Sequence, residues 1–166
     1  AFTGFSFLAF NLVCALLSFV VLPLKRLHTR SLSPQDRRAY YAELFQLWYG
    51  RHLRLMRFLG LLTFEVPPPP PELPKGKPFV LLANHPSLID VIVLRATVPG
   101  ITCLVKQSWY NRPHFRNCCI ESGDFCAERG VIGSTSVLDR FVEQLEKGYP
   151  VLVFPEGTRS PMGGLR

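Results

Sequence analysis

The chain has 166 residues, 48% of them hydrophobic, and a formal net charge of +7, which suits one domain with an appended segment. The charge lies mostly in residues 1–60, which hold eight Lys and Arg against two acidic residues, whereas residues 61–166 hold eleven against ten. Because the basic third adjoins an apolar segment and the chain lacks an RNA- or DNA-binding fingerprint, an anionic membrane surface is favoured over nucleic acid as a partner.

Residues 1–24 form an apolar segment without a charged side chain, and it ends at Lys25 and Arg26. As a helix it would rise about 36 Å, which exceeds a hydrocarbon core of roughly 30 Å. Its polar residues leave a second arrangement open, a helix lying in one leaflet. We therefore predict that residues 1–30 are a transmembrane or membrane-embedded helix. The basic cluster predicts that the chain after it is cytoplasmic.

Residues 31–60 have the pattern of a basic amphipathic helix. Ser33 is a good N-cap, Pro34 fits the first helical position and Gly60 is a natural stop. Basic residues alternate with aromatic and aliphatic ones along this stretch. Two interpretations remain open, a helix at the lipid headgroup layer and an ordinary globular helix with a solvated basic face.

Residues 61–166 predict an α/β domain. Leu61–Val66 can form a short strand, and the Pro-rich stretch 67–78 is a stiff extended connector. Apolar runs then predict buried strands at 79–83 and 151–154, a strand at 101–105 and a short strand at 125–128. Helices are expected from Pro86 onward and at 113–119 and 136–147. This alternation predicts a largely parallel sheet flanked by helices.

The five cysteines are odd in number and lack CxxC spacing, which predicts reduced thiols and no disulfide framework. His114 and Cys118 could form half of a metal site, but the sequence offers no second pair of ligands to complete it. No metal is therefore expected.

Two predicted strands end in polar turns. The first is followed by His85, and Asp90 lies five residues later, where its carboxylate can fold back towards the imidazole and make it a better base. The last strand ends in a turn that carries Glu156, Thr158 and Arg159. In an open α/β sheet, ligands bind beyond the carboxyl ends of the strands.

These two turns resemble the motifs of a known family. Asn84-His85-Pro86-Ser87-Leu88-Ile89-Asp90 resembles the His-x4-Asp motif of the glycerolipid acyltransferases, and Phe154-Pro155-Glu156-Gly157-Thr158-Arg159-Ser160 resembles their substrate-binding motif. The pattern is most similar to bacterial 1-acylglycerol-3-phosphate (lysophosphatidate) acyltransferases. Gly123 to Arg129 is loosely similar to the family's middle motif, and Lys106 resembles a basic position at a strand end.

The resemblance implies an O-acyltransferase that moves a fatty acyl group from acyl-CoA or acyl carrier protein to the hydroxyl of lysophosphatidate, giving phosphatidate. His85 would be the general base and Asp90 its support, with no cofactor beyond the thioester co-substrate. The residues expected to bind the acceptor are Glu156, Gly157, Thr158, Arg159, Arg129 and Lys106. Ser87 is expected to form hydrogen bonds at the helix start.

Membrane lipids are the expected surroundings, and the cytoplasmic face of a bacterial inner membrane is the expected location. A relative that acylates another lysolipid, hydroxyl or amine acceptor remains open, as does a non-catalytic membrane-bound module. Since the family's domain continues into further strands, we expect the sequence to be truncated at the C-terminus.

Overall fold

The computed structural model describes residues 2–63, 77–85, 87, 89–126 and 135–156. The N-terminal part is helical and comprises α1 (Phe2–Leu16), a π-helical turn (Leu17–Val21), α2 (Leu22–His28), a 3-10 turn (Thr29–Ser31) and α3 (Pro34–Phe58). The remainder comprises β1 (Val80–Leu82), α4 (Asp90–Thr97), β2 (Thr102–Val105), α5 (Gln107–Tyr110), α6 (Pro113–Ser122), β3 (Phe125–Cys126), α7 (Thr135–Glu146) and β4 (Val151–Val153). The predicted α/β fold with an apolar helical segment before it is confirmed.

The four described strands form one parallel sheet in the order β1-β4-β2-β3. Strand β4 lies between β1 and β2, and its residues Val151 and Leu152 are almost fully buried. Leu152 packs in a core cluster with Val98, Ile101 and Cys103. Because all the strands run the same way, the segments that follow them meet at one edge of the sheet.

The expectation that the first strand is buried is wrong. Val80 is 49% exposed and Leu82 is 65% exposed. The reason is the strand order, since β1 lies at the edge of the described sheet with β4 as its neighbour. An apolar run cannot distinguish an edge strand from a central one, because the order of strands is set by the whole fold.

Two element boundaries also differ from the expectation. Residues 61–63 are not in a strand, and the rest of the expected strand lies outside the described residues. Helix α4 begins at Asp90 and not at Pro86, which itself lies outside the described residues. Asp90 therefore opens its helix and does not lie a turn inside it.

The N-terminal helical segment packs along the domain. Leu17 and Leu22 lie in a buried cluster with Tyr41 and Phe45 of α3 and Cys118 of α6. The π-helical turn ends two residues before Pro23, which has no N–H to donate, so the hydrogen-bond register changes there. One face of this segment is thus part of the protein core.

Helix α3 begins as expected, with Ser33 as N-cap and Pro34 in the first turn; the Ser33 hydroxyl accepts a hydrogen bond from the Asp36 N–H at 3.1 Å. Its buried residues are Tyr41, Phe45, His52, Leu53 and Met56. Its exposed basic residues include Arg51, Arg54 and Arg57. Helix α3 is therefore a core helix that keeps basic side chains on its outer face.

His52 predicts how the stability of this helical layer depends on pH. Its imidazole is buried, lies edge-on to Phe10 at 5.5 Å between ring centres, and leaves Nδ1 without a hydrogen-bond partner in the described part of the chain. Burial lowers the pKa of His52. Since the unfolded chain then binds the proton more readily, the free energy of unfolding should fall as the pH drops below about 6.5.

The His52→Phe variant should lose this dependence between about pH 7.5 and 5.5, measured by denaturation in detergent. His28→Gln is the matched control, because His28 is exposed. If wild type and His52→Phe lose stability equally over that range, the interpretation of His52 as a buried neutral group is wrong.

Candidate functional site

His85 and Asp90 form the centre of the candidate site. His85 lies three residues beyond the end of β1, and its Nδ1 is 3.2 Å from Oδ2 of Asp90. Their side chains are 19% and 20% exposed, so solvent still reaches both. The contact that the spacing predicted is therefore present. With the proton on Nδ1, the imidazole donates to the carboxylate and keeps a lone pair on Nε2.

Ser87 fixes the Asp90 carboxylate from the other side. The Ser87 backbone N–H donates to Oδ2 of Asp90 at 2.7 Å, and its hydroxyl donates to Oδ1 at 2.7 Å. The same hydroxyl accepts from the Ile89 N–H at 3.2 Å. The expectation that Ser87 forms hydrogen bonds at the helix start is confirmed. These bonds close the bend between β1 and α4, so the carboxylate is held before any ligand arrives.

Phe154 is a contact of His85 that the sequence analysis did not assign. The two rings are stacked, with centroids 4.3 Å apart and planes 25° apart. Phe154 follows β4, and the Ala83 N–H donates to the Val153 carbonyl at 3.1 Å, which aligns the two strand ends. The polar turn after β4 thus starts beside the imidazole. An aromatic residue directly after an apolar strand and before a polar turn was the available signal.

The structure places two of the predicted substrate-binding residues at the same edge of the sheet. Glu156 is half-buried and lies three residues beyond β4, the strand that neighbours β1. Lys106 is exposed and directly follows β2, two strand spacings or about 10 Å from β1. The other predicted residues lie outside the described residues; they are Gly157, Thr158, Arg159 and Arg129.

The arrangement suits proton transfer. A partly exposed imidazole, oriented by a carboxylate and stacked on a phenyl ring, can take a proton from a hydroxyl at Nε2. Within the described part of the chain, the hydrogen bond of His85 is to Asp90 and not to a serine or cysteine. The geometry therefore fits a general base acting on a bound alcohol better than a base that activates a protein nucleophile.

Comparisons with known proteins indicate the family. The family model described as Acyltransferase matches residues 70–166. The 1-acyl-sn-glycerol-3-phosphate acyltransferase of Helicobacter pylori is 31% identical over 86 residues, which is 51% of this chain and 36% of that protein. The lyso-ornithine lipid O-acyltransferase of Pseudomonas aeruginosa is 34% identical over 112 residues, or 68% of this chain and 42% of that protein.

One solved structure has the same fold, the crystal structure of the 1-acyl-sn-glycerophosphate (LPA) acyltransferase PlsC from Thermotoga maritima. The TM-score is 0.72 at 22% sequence identity, and the match covers 96% of this chain and 64% of that chain. The chain spans less than half the length of the curated relatives described above.

The Ser87→Ala variant tests how firmly the carboxylate is held. It removes the hydroxyl that bonds Asp90 and Ile89, and we expect the free energy of unfolding to fall by about 1–2 kcal/mol, since hydrogen bonds to charged groups are the stronger ones. Chemical denaturation followed by circular dichroism measures this. Ser108→Ala, at an exposed serine of α5, is the control and should stay within about 0.5 kcal/mol of wild type. Equal losses in the two variants would contradict the role given to Ser87.

Proposed function

Because the chain belongs to the acyltransferase family, we propose that it transfers a fatty acyl group from acyl-CoA or acyl carrier protein to the free hydroxyl of lysophosphatidate, giving phosphatidate. The observation that carries the proposal is the contact of 3.2 Å between His85 Nδ1 and Asp90 Oδ2 at the carboxyl edge of the sheet. Both residues lie within the segment that matches the family model. The names of two relatives support an O-acyl transfer to a lysolipid.

The reaction would proceed by direct attack of the acceptor on the thioester. Nε2 of His85 takes the hydroxyl proton as the oxygen bonds to the thioester carbonyl carbon. The C–S bond then breaks, and the departing sulfur takes the proton back from the imidazolium. Asp90 stabilises the imidazolium between these steps, because its carboxylate lies beside the other ring nitrogen. Help of this kind from a general base contributes about 10²–10⁴ in rate.

Acceptor binding would be the role of residues that follow β2, β3 and β4 in the chain. Arg159 and Arg129 are proposed to bind the phosphate, since a guanidinium can bind two phosphate oxygens at once. Gly157 and Thr158 would add backbone and hydroxyl donors. Glu156 would orient an arginine or accept a hydrogen bond, and Lys106 would add positive charge at the edge of the site.

A second candidate acceptor is a lyso-ornithine lipid, which has no phosphate. It is favoured by the Pseudomonas aeruginosa relative, whose match covers 68% of this chain. The two acceptors are distinguished by parallel assays with one thioester donor and either lysolipid. Arg159→Met and Arg129→Met should slow transfer to lysophosphatidate and leave transfer to a phosphate-free acceptor near wild type. Turnover with neither acceptor would favour a non-catalytic module.

We also propose that the N-terminal segment attaches the enzyme to one leaflet. Residues 7–31 are long and apolar enough to cross a bilayer. Their outer face is a ridge of exposed apolar side chains, among them Leu8, Leu12, Leu16, Phe19, Leu24 and Leu27. The opposite face is fixed to the domain: the Ser18 hydroxyl donates to the His114 carbonyl at 2.7 Å, and the Asn117 side chain donates to the Ser18 carbonyl at 3.2 Å.

These polar contacts extend along most of the segment. Asn11 contacts His114 at 3.0 Å. Arg26, fifteen residues after Asn11, forms an ion pair of 2.6 Å with Glu121. As a helix, that stretch spans about 22 Å. A segment crossing the bilayer would therefore carry Glu121 and its polar surroundings into a hydrocarbon core of roughly 30 Å, at a cost that a placement in one leaflet avoids.

The His85→Ala variant should abolish acyl transfer, with turnover down by at least about 10²-fold, while the protein still floats with vesicles. Transfer of radiolabelled acyl groups to lysophosphatidate measures the first property and co-flotation the second. His28→Ala, at an exposed histidine remote in sequence from the site, is the control. Full activity of His85→Ala would overturn the proposal.

The one-leaflet attachment predicts that both ends of the segment are reached from the same side. Single cysteines introduced at Gly4 and Ser31, both exposed positions, should react with a membrane-impermeant maleimide from the side that holds the domain. Wild type gives the background, since four of its five cysteines are buried. Labelling of Gly4→Cys solely from the opposite side would show that the segment spans the bilayer.

A further inference from the structure

A buried ion pair lies behind the candidate site, between Arg95 of α4 and Asp124 in the turn before β3. The two side chains are only 4% and 5% exposed, and Nη2 of Arg95 donates to Oδ1 of Asp124. Helix α4 has eight residues, and the structure buries two of them, Ile92 and Arg95. Arg95 is therefore one of the two main anchors of the helix that begins with Asp90.

The Asp124 carboxylate accepts hydrogen bonds from donors on three elements. Besides Arg95, its Oδ1 accepts from the Cys103 N–H of β2 at 3.0 Å, and its Oδ2 accepts from the Ser122 hydroxyl of α6 at 2.8 Å. Arg95 in turn lies 3.1 Å from Sγ of Cys103 and 5.7 Å from the ring centre of Tyr49 in α3. The pair thus joins α4 to the sheet, to α6 and to α3.

A sharp turn at Gly123 places Asp124 beside Arg95. Gly123 ends α6 in the left-handed region, with a φ of 77°. A Cβ there would lie 3.1 Å from Cγ2 of Thr102 and 3.2 Å from Cε1 of Tyr149. Glycine therefore satisfies both the backbone conformation and the close approach at this position.

The charges of the pair are well defined. Burial works to lower the pKa of Arg95, but the Asp124 carboxylate beside it holds that pKa well above its usual range. Burial raises the pKa of Cys103 to about 12, so its thiol stays neutral and Asp124 is the anion that balances Arg95. Buried ion pairs contribute little net stability compared with apolar packing, and their better attested use is to specify one arrangement.

We propose that Arg95 and Asp124 are positioning residues that fix the rotation and depth of α4, so that Asp90 keeps its hydrogen bond to His85. Asp90 and Arg95 lie five residues, or about 7.5 Å, apart along the helix axis. A small rotation of so short a helix moves the Asp90 carboxylate away from Ser87 and His85. The expected effect of this pair on turnover rests on the proposed function. Its expected effect on the tautomer of His85 does not.

The experiment measures the tautomer of His85 directly. The chain has four histidines, so ¹⁵N NMR of the histidine-labelled chain in detergent resolves their ring nitrogens, and His85→Gln assigns the signal. Wild type should show the proton on Nδ1. Arg95→Met should show a mixture of the two tautomers in a folded chain. Arg140→Met, which breaks an exposed pair with Glu143 at 3.6 Å, is the matched control and should leave the tautomer unchanged.

Two further variants separate placement from stability. Asp124→Asn keeps an acceptor for the Cys103 N–H and removes the charge, so it should shift the tautomer even if Arg95→Met does not fold. The double variant Arg95→Met/Asp124→Leu leaves no unpaired buried charge and should be no less stable than Arg95→Met. Its tautomers should nevertheless stay mixed. A wild-type tautomer in the folded double variant, or in Asp124→Asn, would overturn the proposal.

Kinetics give the functional readout. In Arg95→Met and Asp124→Asn, kcat should fall about 10- to 100-fold with the acceptor KM nearly unchanged, because a misplacement of about 1 Å costs that much in rate. If wild type is active and the folded variants keep both the tautomer and the kcat of wild type, the positioning role is wrong and the proposed function is not affected. If wild type shows no turnover but the variants still shift the tautomer of His85, the acyltransferase proposal is contradicted and the positioning role is supported.

Discussion

The hydrogen bond between His85 and Asp90 is the contact on which the proposed chemistry depends. It is made across the bend that joins β1 to α4, and the hydroxyl and N–H of Ser87 hold the carboxylate in place. Asp90 is also the first residue of α4, where the helix dipole favours a negative charge. The dyad is thus set by a few residues of local structure, and its accuracy depends on how firmly α4 is held.

The rest of the fold supplies that support. Parallel strands bring the turn after β4 to the same edge as His85, and Phe154 stacks on the imidazole at 4.3 Å. The ion pair between Arg95 and Asp124 connects α4 to β2 and α6. The N-terminal segment packs on α3 and α6 with one face and leaves the other apolar and exposed. One chain therefore combines a firmly held site with an exposed apolar face.

Much of this could be predicted from local sequence. The alternation of apolar runs with helical patterns predicts a parallel sheet, and parallel strands predict that the turns carrying His85 and Glu156 share an edge. The exposure of β1 could not be predicted, because strand order is set by the whole fold. The stacking of Phe154 on His85 and the pairing of Arg95 with Asp124 join residues far apart in sequence, and a single sequence does not show which distant residues will meet. Arg129 and Arg159 stay predictions.

The most direct test of the account is chemical modification of His85 in the native chain. Diethylpyrocarbonate should carbethoxylate its imidazole, which is partly exposed, and mass spectrometry can follow His85 separately from the other three histidines. The account predicts that acyl transfer is lost at the rate at which His85 is modified, and that bound lysophosphatidate slows both. Full acyl transfer by protein whose His85 is completely modified would contradict it.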